Sequence, residues 1–110
     1  MSGAAAQFRE TLSPEELREQ FEALAADWKE RSGYLSDARR MAMLEPYQRI
    51  IGLGRPAVPL ILEELQREPN FWFWALEAIT GEDPVPPDAN GVVDRMVEAW
   101  LEWGRRNRLI

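Results

Sequence analysis

Apolar positions recur at helical spacing in five stretches of the chain, and proline and glycine punctuate the gaps between them. The clearest stretch holds Leu17, Phe21, Leu24 and Trp28 at steps of four, three and four, which form one stripe on a helix. Its start is marked by Ser13, which can cap, by Pro14, which suits a first helical position where an N–H would be unpaired, and by Glu16, which completes a capping box. Leu12 and Leu17 are placed as a hydrophobic staple. Gly33 offers a left-handed stop without a steric penalty. The pattern predicts a helix over 14–32.

Tyr34 to Leu44 reads two ways. Ser36 could cap a short helix that turns Met41 and Leu44 inward, or the segment could be an ordered loop. Glu45-Pro46 restarts the chain, and Tyr47, Ile50 and Ile51 give a short helix that stops at Gly52-Leu53-Gly54. Pro56 opens the next helix, where Val58, Ile61, Leu62 and Leu65 face inward and Glu63, Glu64 and Arg67 face water. Pro59 falls in its first turn, where it costs little. After Glu68-Pro69-Asn70, the run from Phe71 to Thr80 has only Glu77 and Thr80 as polar residues. A strand of that composition is possible, but Ala75, Leu76 and Ala78 favour a helix, apolar nearly all round and placed at the centre. Glu82 to Gly91, with Pro84, Pro86 and Pro87, predicts an extended surface loop. A last helix over about 91–105 presents Val93, Met96, Val97, Trp100, Leu101 and Trp103, then stops at Gly104 with arginines opposing the negative end of its dipole.

Gly54-Arg55-Pro56-Ala57-Val58-Pro59 is echoed 27 residues later by Gly81-Glu82-Asp83-Pro84-Val85-Pro86, although only the first copy continues into a helix. The stretch Ile51-Gly52-Leu53-Gly54-Arg55-Pro56-Ala57-Val58-Pro59-Leu60-Ile61 resembles the turn of a HEAT repeat. The wider block from Tyr47 to Pro86 is similar to a small family of short bacterial proteins of unassigned function, which share the aromatic run and the Ala-Ile-Thr-Gly turn. The HEAT resemblance implies a helical hairpin and a protein-binding scaffold. Stacked repeats need three or more units, and one is visible here. The expected fold is therefore all-α: a compact bundle of four to five helices with a HEAT-like central hairpin. Its 110 residues should make a single domain, with residues 1–12 flexible.

Charge changes the picture in one respect. The net charge is −6, unevenly spread: residues 31–55 carry five arginines against Asp37 and Glu45, whereas residues 56–94 carry Arg67 against eight carboxylates. Such alternation suits pairing with a charged partner, or with a second copy as a homodimer, better than nucleic-acid binding, whose domains are usually basic overall. No apolar run approaches the roughly 20 residues of a membrane span, and Met1 to Arg9 lacks the features of a signal peptide. With no cysteine in the chain, a reducing compartment is expected, namely the cytoplasm.

The chain holds neither histidine nor cysteine, so the commonest general base, the commonest metal ligand and the thiolate nucleophile are all missing. Lys29 is the only lysine and stands on a charged helix face, which disfavours a Ser–Lys pair or a Schiff base. Gly52-Leu53-Gly54 leads into Arg-Pro rather than into a phosphate-cradling turn. Glu82, Asp83 and Asp88 are the nearest thing to an oxygen-ligand cluster, as a metal-assisted hydrolase would need, but a solvated acidic loop explains them better. No cofactor, metal site or catalytic residue is expected.

Two groups remain as binding candidates. At about 100° per residue, four successive aromatics sweep most of a helix circumference, so Phe71 or Phe73 should lie near the surface while the rest form core. Trp100 is expected in the core and Trp103 at a rim. Tyr34 with Arg39 and Arg40, within the arginine group at 31, 39, 40, 49 and 55, could meet a charged partner or phosphate. The resulting expectation is a non-catalytic protein-interaction module, a small adaptor or a regulator that neutralises its partner. Phe71, Phe73, Trp103, Tyr34, Arg39 and Arg40 are its contact candidates, and a nucleic-acid-associated regulator using the arginines is the alternative.

Overall fold

Six α-helices make up the fold in a computed structural model that describes residues 12–110: α1 (Pro14–Ser32), α2 (Ala38–Met43), α3 (Glu45–Leu53), α4 (Val58–Arg67), α5 (Phe73–Thr80) and α6 (Val93–Arg106). Short 3-10 turns occupy Arg55–Ala57 and Pro87–Ala89. Apart from Leu12, the flexible segment expected over 1–12 lies outside the described residues. There is no strand among the described residues, and the bundle is all-helical as the periodicity requires. The helix count exceeds four to five because Ala38–Met43, which could have been loop, forms a turn and a half of helix.

The starts and stops follow local chemistry with three exceptions. At α1, Ser13 Oγ accepts from Glu16 N–H at 3.1 Å and Ser13 N–H donates to Glu16 Oε1 at 3.0 Å, so the capping box is complete. Gly33, however, has φ −59° and ψ −21°, so α1 ends in a right-handed turn rather than on a left-handed glycine. Asp37, not Ser36, caps α2, its side chain accepting from Arg39 N–H at 2.9 Å. Gly104 does not end α6; it lies inside it, and the helix runs on to Arg106. A Cβ at Gly104 would meet Leu62 Cδ1 at 2.8 Å, so the bare backbone lets α6 press onto α4. Gly54 is needed for a different reason: at φ +78° and ψ −160° it turns the chain between α3 and α4 in a conformation that side-chain-bearing residues avoid.

α1 and α2 pack on α3, α3 packs on α5, and α4 carries both α5 and α6. Where α1, α3 and the entry to α5 meet, four aromatic rings close on one another. Trp28 lies 4.5 Å from Trp72 and 5.3 Å from Tyr47, Phe21 lies 6.1 Å from Trp72, and Tyr47 stacks on Trp72 with planes 5° apart. Each such pair is worth about 0.5–1.5 kcal/mol beyond its area burial. Trp28 also donates its indole N–H to Met41 O at 2.8 Å, which ties α2 down onto α1.

Tyr47 does more than fill space. Its hydroxyl donates to Phe71 O at 2.9 Å and accepts from Ala75 N–H at 2.8 Å. Those two groups are the carbonyl and amide that an extra helical bond would join, so the hydroxyl stands as a bridge inside the first turn of α5. That helix has no side-chain cap of its own, since Trp72 occupies the N-cap position. A cap that the local sequence cannot supply comes from α3 instead. Trp72 and Trp100 have buried indole N–H groups without a hydrogen-bond partner among the described residues, each costing roughly 1–3 kcal/mol.

One expected water-facing residue is buried. Glu64 on α4 is 4% exposed and accepts from Lys29 of α1 and from Arg67 one turn along its own helix. Burial by itself would push this carboxyl up; the hydrogen bonds and charges of Lys29 and Arg67 outweigh that and hold it below its ordinary value. The only lysine of the chain is thereby committed to a clasp between helices, and it reaches Glu68 as well, at 3.5 Å.

Two substitutions test these links. Tyr47→Phe should cost about 1–2 kcal/mol in urea melts near neutral pH, because two hydrogen bonds are lost with little change of volume. Burial pushes the Tyr47 phenol up, against the Ala75 N–H, so the stability it contributes is complete below about pH 10 and declines above it. The gap between parent and variant should therefore shrink in alkali. Glu64→Gln should cost about 1–3 kcal/mol at neutral pH. Because the folded carboxyl titrates lower than the unfolded one, that gap should persist above about pH 4.3 and close as pH falls further.

Candidate functional site

The phase of α5 decides which aromatics reach solvent. Trp72, Phe73, Leu76 and Thr80 turn inward, whereas Trp74, Glu77 and Ala78, spaced at i, i+3 and i+4, share the open face. Phe71, just ahead of the helix, is 40% exposed and Trp74 is 43% exposed. The expectation of a central helix is corrected here: α3 and α4 pack on one side of α5, and Trp74, Glu77 and Ala78 stay exposed on the other.

That open face forms one wall of an apolar groove of about 670 Å³. Both α5 and α6 pack on α4, and the groove lies in the gap between them. Phe71, Phe73 and Trp74 line it from the α5 side, Val93 and Met96 from α6, and Ala38 from the start of α2. Among the described residues, Glu77 is the only charged one in the lining. Its carboxylate makes neither a hydrogen bond nor an ion pair among the described residues. Burial against the apolar wall pushes it up from the ordinary carboxylate value, and the nearby charge of Asp83 adds to that. The groove is thus a hydrophobic surface with one exposed carboxylate that is unpaired among the described residues.

The expected contact residues divide. Phe71 reaches solvent, although it stands ahead of the helix rather than on its sweep, and Phe73 is 6% exposed, reaching the groove only as part of its floor. Trp103 is not a rim residue: it is 5% exposed, packs edge-on against Trp100 at 5.3 Å, and donates its indole N–H to Glu82 Oε1 at 3.2 Å. Tyr34 is 94% exposed, and Arg39 and Arg40 are exposed on α2. Trp74 was not among the expected residues, although a signal for it existed. Glu77, the lone charge of the segment, marks the wet face, and Trp74 precedes it by three positions.

The proline-rich loop does not bring its acids together. Glu82 faces Trp103, Asp83 accepts from Val85 N–H at 3.1 Å, and Asp88 pairs with Arg95 at 3.2 Å. Among the described residues no cluster of three or more carboxylates is placed to hold a metal ion. Nor is any helix among them long and apolar enough to cross a membrane. Of the central arginines, Arg31 pairs with Asp27 at 2.8 Å, and the side chains of Arg39, Arg40, Arg49 and Arg55 enter no ion pair among the described residues. No family model, curated protein or solved structure matches the chain.

Neighbouring tryptophans should respond oppositely to truncation. Trp72→Ala, which opens the aromatic cluster, should cost about 3–5 kcal/mol in denaturant melts. Trp74→Ala should cost about 1 kcal/mol or less, because its ring lies at the surface. Equal losses would mean that the groove is closed by protein and is no surface at all.

Proposed function

We propose that this chain is a non-catalytic protein-interaction module, a small adaptor or partner-neutralising regulator, and that the groove between α5 and α6 is its working surface. The observation that carries this reading is the exposure of Phe71, Trp74 and Val93 along the two sides of one groove. Exposing large apolar side chains together is unfavourable in a free monomer, and aromatic anchors of this kind dominate the energetics of protein interfaces. The sequence supports the non-catalytic part, since it supplies neither histidine nor cysteine, and its single lysine is clasped by Glu64. The HEAT-like turn from Ile51 to Ile61 is consistent with a binding role, and the cysteine-free composition suits the cytoplasm.

A second reading, association with nucleic acid, draws on Arg39 and Arg40 beside the fully presented Tyr34. The acidic balance of the chain weighs against it.

Affinity capture from the native host with the parent chain should retain one protein at near-stoichiometric yield, and Trp74→Asp should abolish that capture while leaving the helical circular dichroism intact. Capture unaffected by Trp74→Asp would remove the groove from the interface. Retardation of DNA or RNA at low salt, lost in an Arg39→Glu/Arg40→Glu variant, would favour the second reading instead.

A further inference from the structure

The large apolar side chains that remain exposed are not scattered. Among the described residues, all but Ile110 fall into two groups: Phe71, Trp74, Val92 and Val93 at or beside the groove, and Tyr34 with Met43 around α2. The second group has its own concavity, lined by Leu35, Arg39, Arg40, Met43 and Leu44. Its character is the converse of the first. Among the described residues, the groove holds an unpaired carboxylate beside apolar side chains, and the α2 face holds two unpaired guanidinium groups beside apolar side chains. The two surfaces share α2: Ala38 at its start lines the groove, and Arg39 and Arg40, next along the helix, line the second concavity.

Two surfaces of opposite charge and like hydrophobicity on one chain suit an isologous interface, in which a two-fold axis brings surface one of each copy onto surface two of the other. We propose that the groove is covered by a second copy of this chain, the α2 face with Tyr34, Arg39, Arg40 and Met43 seating on Phe71, Trp74 and Glu77, and the same contact repeating in reverse across a two-fold axis. This inference rests on reading the groove as a docking surface and names its occupant. Burial of the aromatics supplies the affinity. The Arg–Glu contacts set the register and exclude the like-charged alternative of groove on groove. A foreign partner of the groove then competes with self-pairing.

Sedimentation of the full chain over micromolar concentrations should show a monomer–dimer equilibrium whose dissociation constant rises about tenfold or more between low and high salt. A monomer at every concentration, an open-ended polymer, or a dimer indifferent to salt would overturn the proposal. The decisive arm is charge exchange. Arg39→Glu/Arg40→Glu and Glu77→Lys should each weaken the dimer about tenfold or more, with unchanged circular dichroism. An equimolar mixture of the two variants should restore it, because both contacts of the mixed pair are again between opposite charges. Two folded variants that do not rescue each other would sink the idea. Groove-dependent capture of a foreign protein by a chain that stays monomeric would overturn self-pairing alone, leaving the docking surface in place.

Discussion

A phenolic hydroxyl held between a carbonyl and an amide governs the middle of this molecule. Tyr47 reaches from α3 to bridge Phe71 O and Ala75 N–H, at the point where α5 lacks a cap of its own. Because the ring of Tyr47 also stacks on Trp72, the same residue sets where α5 begins and which way its first side chains turn. With Trp72 locked inward, helical geometry places Trp74 and Glu77 outward. The groove is therefore a consequence of the core: the contact that buries one tryptophan exposes another two residues on.

Charge is used in two distinct ways. Inside the bundle, Lys29, Arg67 and Glu64 form a clasp in which donors on both sides offset the desolvation of the carboxylate, and α1 is held to α4. Around the surface, Arg18 with Glu63, Arg31 with Asp27, and Arg95 with Asp88 are ordinary exposed pairs of small individual worth. Glu77, Arg39 and Arg40 stand apart from both sets, being unpaired among the described residues and bordered by exposed apolar side chains. An exposed charge with no partner among the described residues, set beside apolar side chains, is free to pair with a group from outside the chain.

The helical plan was legible in the residues themselves. The capping box at Ser13, the proline restarts at 46 and 56, and the turn at Gly54 follow from backbone and side-chain preferences that act over a few positions, so α1 begins and ends where the pattern places it. The inward stripe of Val58, Ile61, Leu62 and Leu65 is legible for the same reason. So was the sweep argument that the aromatic run could not face one core, although the exposed aromatic on the helix is Trp74, and Phe71 lies ahead of it. Glu64 was misplaced because a charge on a helix reads as wet unless its partner is known, and Lys29 lies 35 residues away.

The amino-acid order by itself determined the helices, their approximate limits, and the lack of the side chains most catalytic sites use, since each of these depends on local preference or on composition. Only the tertiary structure decided the phase of α5, the burial of Trp103 beside Trp100, and the gap between α5 and α6. Those features depend on which surfaces distant segments bring against one another. A periodic pattern shows that a helix has an apolar side, but it takes the packed neighbours to show how much of that side is covered.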